Sequence, residues 1–160
     1  RRFVYSYTAF GMIEINNLTS VSVNRTFLKK VARKVLQDEK KKNLDLSVAL
    51  VTGDKIKELN KKYRGRNKPT DVLSFNKLEF IDKKSKTKKF LGEIIICPQE
   101  VKKNVVRFKI SFKEEMVNSL VHGILHLLGY EHEKFLKEAE LMEKKQRYYF
   151  SKIFDRRQNG

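Results

Sequence analysis

The 160-residue sequence has few of the features that mark secreted or membrane proteins. It contains a single cysteine, Cys97, so it can form no disulfide within the chain. Because Cys97 follows three isoleucines, we interpret it as a buried, structural side chain in a reducing compartment. No apolar run approaches the ~18 residues of a membrane span, and residues 1–11 lack the pattern of a secretory signal. The sequence therefore predicts a soluble, cytoplasmic protein with no membrane partner.

Acidic residues are scarce relative to basic ones. The chain has 19 Asp and Glu against 36 Lys and Arg, which gives a formal net charge of +17 and a pI near 9.9. Such an excess of positive charge points to a polyanionic partner, and nucleic acid is the first candidate. Hydrophobic residues make up 40% of the chain. That fraction can fill a core without metal or disulfide crosslinks, so we expect a folded domain.

The apolar pattern predicts one α+β domain over residues 12–155, with a leader or expression remnant at 1–11 and a tail at 156–160. Strand patterns occur near 12–15, 46–50, 72–75 and 91–97. Helical spacing of apolar residues occurs near 25–41, 56–65, 99–108, 112–128 and 135–154. Because three of these five helices gather at the C-terminal end, we expect a four-stranded mixed sheet rather than a doubly wound one.

The three histidines of the chain lie within eleven residues, in the string HGILHLLGYEH. His122 and His126 are four residues apart on a predicted helix, so both side chains project from one face. Gly129 allows the backbone to leave the helix and to return His132 as a third ligand. Three imidazoles with a fourth position open to water fit catalytic zinc better than a closed structural zinc. We predict one Zn²⁺ per chain at the end of a buried helix, with nickel, copper or iron as alternatives.

The same spacing matches the extended zinc-protease motif, except that Gly123 stands at the position of the glutamate. In such proteases this glutamate takes a proton from the water at the metal, so the peptidase mechanism does not carry over. A metalloprotease-like hydrolase is therefore an alternative and not the leading hypothesis.

A polar stripe runs along the predicted helix that carries the first two histidines. Its members are Glu115, Asn118, Ser119, His122 and His126. We expect the stripe either to floor a cleft or, at Glu115 and Asn118, to face solvent.

A basic segment at 61–68 holds five cations in eight residues, with Tyr63 among them. The cations are Lys61, Lys62, Arg64, Arg66 and Lys68. Such a segment can bind a phosphate backbone by charge and stack a base on the ring, which suits single-stranded RNA. Alternatively, the lysines belong to a solvated helix end with no ligand. Arg64 and Arg66 can each donate two parallel hydrogen bonds to phosphate oxygens. A further lysine-rich stretch, at 83–89, is predicted to be a flexible loop.

Three strings carry a resemblance to a known family: NKKYRGRNKPTDVLSF at 60–75, LGEIIIC at 91–97, and the histidine string. In this order they closely resemble the YbeY family of bacterial endoribonucleases, also described as rRNA maturation factors, over about residues 12–154. The resemblance implies a metal-dependent hydrolase, usually with zinc, that cleaves single-stranded RNA and matures the 3′ end of 16S rRNA. It maps the family's functional arginine onto Arg64 and the metal ligands onto His122, His126 and His132. Asn76 and Glu131 depart from the family's usual proline and aspartate.

Taken with these residue patterns, the resemblance implies a zinc-dependent endoribonuclease that acts in rRNA processing and ribosome biogenesis, with Arg64 and His122 as catalytic residues. The basic segment supplies the predicted RNA-binding residues Lys61, Lys62, Arg64, Arg66 and Lys68. We expect a monomer whose partners are single-stranded RNA and the small ribosomal subunit. Two alternatives stay open: a metalloprotease-like hydrolase, and a non-catalytic rRNA-binding assembly factor in which the metal is structural.

Overall fold

The computed structural model of the chain describes residues 10–76, 89–130 and 136–155. Its four strands form one sheet, in the order β1-β2-β4-β3. The strands are β1 (Ile13–Asn17), β2 (Asp45–Leu50), β3 (Val72–Asn76) and β4 (Phe90–Ile96). Strands β1, β2 and β4 run parallel, and β3 pairs antiparallel with β4. The sheet is therefore mixed, as the sequence predicts.

Five helices accompany the sheet in the described parts of the chain. They are α1 (Arg25–Asp38), α2 (Gly53–Arg64), α3 (Pro98–Phe108), α4 (Phe112–Leu127) and α5 (Leu136–Phe154). The predicted single α+β domain with four strands and five helices is confirmed. None of the helices in these segments is long and apolar enough to cross a membrane.

Local signals in the sequence place most helix ends correctly. The side chain of Asn24 accepts a hydrogen bond from the Phe27 amide at the start of α1, and Ser111 accepts one from Glu114 at the start of α4. Helix α1 ends at Asp38, three residues before the predicted end. The reason is Lys40, which adopts a left-handed φ of 59° and turns the chain out of the helix.

The two faces of the sheet are covered unequally. One face packs against α1, α4 and α5 and forms the larger core. The other face forms a smaller core with α2, and its members are Val51, Ile56, Leu73, Phe75, Ile95 and Cys97. Cys97 is fully buried, as predicted, and this burial raises the pKa of its thiol. Helix α4 belongs to the larger core and contacts β3, β4, α1, α3 and α5, so it is the element around which the fold is packed.

Helix α4 comes very close to the sheet at Gly123. A Cβ atom at this position would lie 2.9 Å from Cγ2 of Ile94 on β4. The hydroxyl of Ser74 on β3 donates a hydrogen bond to the Gly123 carbonyl oxygen over 3.3 Å. Position 123 therefore points at the sheet, where any side chain larger than glycine would collide with Ile94.

We expect Gly123→Glu to lower the free energy of unfolding by about 3 kcal/mol or more, because it forces a carboxylate against Ile94 inside the core. Gly53→Glu is the matched control, since a Cβ at Gly53 has only ordinary contact, 3.5 Å from Gln99 Oε1, and acidic residues suit the first turn of a helix. Urea denaturation measures both variants. Equal stability of the two would show that α4 has room to move away from the sheet.

Candidate active site

A cleft of about 710 Å³ lies between α4, β3 and the segment that follows α2. Its lining residues are Asn60, Arg64, Arg66, Lys68, Pro69, Thr70, Asp71, Val72, Leu73, Ser74, Asn76, His122, His126 and Leu127. The cleft thus brings together two features that lie about 60 positions apart in the sequence, the histidine string and the basic segment.

His122 and His126 lie one turn apart on α4, half-buried in the cleft wall. Their ring centroids are 4.6 Å apart and their planes cross at 71°. Two imidazoles this close can supply two nitrogen ligands to one ion. His132 lies outside the described residues, and the described parts of the chain contain no group of three or more potential metal ligands. The third ligand therefore stays a prediction.

His122 also has a partner that sequence reasoning missed. Its Nδ1 lies 3.3 Å from Oε1 of Gln146 on α5, and Nε2 of Gln146 donates to the backbone oxygen of Asn118 over 3.4 Å. Gln146 is 24 positions from His122, and no local pattern links the two residues. Only the packing of α5 against α4 brings them together.

The basic segment is shaped by the way α2 ends. Gly65 adopts a left-handed φ of 70°, and the amides of Gly65 and Arg66 bond to the carbonyl oxygens of Lys61 and Asn60. The buried Asn60 side chain then donates to the Lys68 carbonyl oxygen over 2.8 Å. These bonds fold the chain back across the end of α2 and toward β3.

Arg64, the predicted catalytic cation, is held at the edge of the cleft by β3. Its Nη2 donates to the carbonyl oxygen of Ser74 over 2.8 Å, and Nη1 donates to that of Tyr63 over 3.3 Å. The guanidinium carbon lies 5.0 Å from the centroid of the Phe75 ring. The Arg64 side chain is exposed to solvent, but these contacts hold its guanidinium in one position.

The five predicted RNA-binding cations divide into two groups. Arg64, Arg66 and Lys68 line the cleft, whereas Lys61 and Lys62 are exposed on α2 and do not line it. Tyr63, the predicted stacking ring, also lies outside the cleft lining. It packs at 5.1 Å against Phe75 in an edge contact, and Nζ of Lys62 is 5.2 Å from its centroid. The cationic wall of the cleft therefore comes from the segment just after α2.

The expectation for the polar stripe on α4 is wrong for two of its members, Glu115 and Ser119. Only His122 and His126 line the cleft; Glu115 and Ser119 are buried, and Asn118 borders a different depression beside α5. The N-terminal half of α4 packs against α3, and Glu115 there lies close to Asn104 and Asp71. The sequence pattern could show one polar stripe but not which neighbours would cover it.

Asp71 lines the cleft and also contacts the buried neighbours of Glu115. One carboxylate oxygen accepts a hydrogen bond from the Val72 amide, and the other accepts one from the Asn104 side chain over 3.1 Å. Asp71 therefore stands just before β3 and also lines the cleft. Asn76, where the family usually has proline, is the last residue of β3 and pairs with Gly92.

Burial raises the pKa of Glu115, and the charge of Asp71 adds to the rise, while hydrogen bonds from Asn118 and Asn104 oppose it. The folded protein thus holds this proton more tightly than the unfolded chain does. Ionisation of Glu115 therefore costs stability as the pH rises above about 4.5, its ordinary pKa.

We expect Glu115→Gln to stabilise the protein relative to the parent at pH 7, with the difference shrinking as the pH falls toward 4, because the amide stays neutral throughout. Thermal unfolding across this pH range measures the effect. Glu58→Gln, at an exposed carboxylate of α2, is the control and should change little. A difference for Glu115→Gln that does not vary with pH would contradict this assignment.

The fold and the cleft define a class of protein: a single α+β domain whose buried helix presents paired imidazoles next to a cationic wall. A family model described as Endoribonuclease YbeY matches residues 14–154. The chain therefore belongs to the endoribonuclease YbeY family, which confirms the resemblance seen in the sequence.

Individual relatives agree with this assignment. The Endoribonuclease YbeY of Sulfurihydrogenibium sp. (strain YO3AOP1) is 39% identical over 137 residues, which cover 86% of each chain. That of Aliarcobacter butzleri (strain RM4018) is 39% identical over 139 residues, 83% of this chain and 91% of the relative. The solution structure of a Thermotoga maritima protein matches with a TM-score of 0.63 and 32% identity, covering 92% of this chain and 93% of that one.

Proposed function

We propose that the protein is a metal-dependent endoribonuclease that cleaves single-stranded RNA in the cleft between α4 and β3. The observation that carries this proposal is that Arg64, His122 and His126 line one cleft. Relatives that this chain matches over most of its length bear the name endoribonuclease. The excess of positive charge supports an RNA substrate, because cations gain affinity for phosphates by releasing counterions.

The residues that would hold the metal are His122, His126 and His132. The described pair fits zinc, since imidazole nitrogens are preferred zinc ligands and the two rings lie 4.6 Å apart on one helix face. Nickel or another transition metal also accepts such ligands. When bound, the metal supplies a Lewis acid for the scissile phosphate and its attacking nucleophile. The three histidines of the chain form a single cluster, so we propose one ion per chain.

Within this site Arg64 stabilises the negative charge that develops on the phosphate in the transition state. Its contacts to Ser74 and Phe75 hold the guanidinium in place before RNA arrives, so little ordering is needed on binding. Arg66 and Lys68 lie on the same wall and bind neighbouring phosphates. These roles divide the basic segment into one catalytic cation and two cations that position the RNA backbone.

In the cell we propose that this activity matures the 3′ end of 16S rRNA, with the protein acting as a cytoplasmic monomer on the small ribosomal subunit. A metalloprotease activity is disfavoured, because Gly123 stands where the protease motif has the glutamate that acts as general base. A non-catalytic assembly factor would use the same basic surface and differs only in turnover.

We expect protein purified without a histidine tag to contain about one zinc per chain and to cleave a labelled single-stranded RNA faster than the corresponding duplex. A chelator should abolish cleavage, and added zinc should restore it. The double variant His122→Ala, His126→Ala should lose both metal and activity. Unchanged metal content in this variant would contradict the metal site, and a zinc-loaded parent that never cleaves RNA would favour the assembly-factor alternative.

We expect Arg64→Ala to reduce single-turnover cleavage by about 10- to 1,000-fold while leaving zinc content unchanged, because it removes charge from the transition state and not a metal ligand. Arg64→Lys should restore activity only in part, since an ammonium keeps the charge without the planar fork. Arg33→Ala removes an exposed arginine on α1, outside the cleft, and should cleave at the parent rate. Saturating protein removes differences in affinity, so parent-like cleavage by Arg64→Ala would reassign Arg64 to RNA binding.

A further inference from the structure

Gln146 of α5 makes two hydrogen bonds on the side of α4 that carries His122. Its Nε2 lies 3.4 Å from the Asn118 carbonyl oxygen, and its Oε1 lies 3.3 Å from His122 Nδ1. Asn118 and His122 are four residues apart, so the amide spans one turn of α4.

These two contacts determine where the His122 ring carries its proton. A backbone carbonyl oxygen can only accept, so the amide must turn its NH₂ group toward Asn118 and its oxygen toward His122. An amide oxygen also only accepts, so Nδ1 of His122 must be the donor. In the neutral ring this places the hydrogen on Nδ1 and the lone pair on Nε2. The opposite amide orientation would set two acceptor oxygens against each other.

We propose that Gln146 is a positioning residue that fixes His122 as the Nδ1–H tautomer and so presents Nε2 as the metal-ligating nitrogen. This inference rests on the metal site of the proposed function. A hydrogen bond to the other ring nitrogen orients a ligating imidazole and raises its basicity, and loss of such a partner commonly weakens metal binding 10- to 100-fold. Gln146 itself touches neither metal nor RNA in this role.

Helix α5 is anchored firmly enough to hold such a contact. Two ion pairs tie it to the end of α1 on either side of Gln146: Lys145 to Glu39 at 3.1 Å and Lys152 to Asp38 at 2.7 Å. Met142 and Tyr149 of α5 are fully buried in the larger core. The amide thus extends from a fixed helix, and α1 and α4 together determine its distance from His122.

The test compares Gln146→Leu, which has no hydrogen-bonding group, with Gln146→Glu, which keeps an acceptor for Nδ1 but loses the donor to the Asn118 carbonyl oxygen. Lys144→Leu, at an exposed position of the same helix, is the matched control. The first readout is the tautomer of His122 in metal-free protein, from two-bond ¹H–¹⁵N correlations of the imidazole ring at pH 8. The second is zinc affinity, from competition with a chromogenic chelator, and thermal unfolding confirms that each variant is folded.

We expect Gln146→Leu to lose the Nδ1–H preference of His122 and to bind zinc 10- to 100-fold more weakly, with Gln146→Glu and Lys144→Leu close to the parent in both. An unchanged tautomer in folded Gln146→Leu would overturn the proposal, as would zinc affinity within twofold of the parent. If Gln146→Leu fails to fold, Gln146→Glu decides, because a His122 that leaves the Nδ1–H form opposite a carboxylate contradicts the proposed role. A parent protein that binds no zinc would instead refute the metal site, while the tautomer in metal-free protein would still report on Gln146.

Discussion

Helix α4 packs closely against β4 because Gly123, which has no side chain, faces Ile94. Because no side chain separates them, the Ser74 hydroxyl can reach the Gly123 carbonyl oxygen. The residues on the adjoining face of the helix, His122 and His126, then lie beside β3 and become part of a cleft wall. The position of the two imidazoles beside β3 depends on this close approach.

The conformation of the cationic wall, which is formed by the segment after α2, depends on neutral hydrogen bonds and not on its own charges. Gly65 turns the chain at the end of α2, and the buried amide of Asn60 holds the Lys68 carbonyl oxygen. Lysines and arginines repel one another, so a basic segment needs such supports to stay in one conformation. The same division of roles is familiar in nucleic-acid binding, where charge supplies affinity and geometry decides which phosphate is contacted.

Helix α5 connects the face of α4 that carries His122 and His126 to the rest of the core. Its ion pairs to α1 and the buried Met142 and Tyr149 fix its position, and Gln146 carries that position to His122. Ion pairs at partly exposed sites contribute only modest stability, so most of the anchoring energy comes from the buried side chains. The orientation of an imidazole in the cleft is therefore linked to packing on the other side of α4.

The sequence alone determined the features that depend on neighbouring residues. The pairing of His122 with His126, the cap at Ser111 and the turn at Gly65 follow from helical spacing and local backbone chemistry, which act within about one turn. The burial of Cys97 and the four-stranded mixed sheet follow from apolar patterns of the same short range.

Only the tertiary structure decided which of these local features meet. The sequence contained the polar stripe on α4 but could not show that Glu115 would be buried near Asn104 while His126 lines the cleft. Asp71 and Gln146 gained their partners across 33 and 24 positions of sequence. Contacts over such distances depend on how whole helices and strands pack, because a hydrogen-bonding side chain has no preferred partner until the core has set its position.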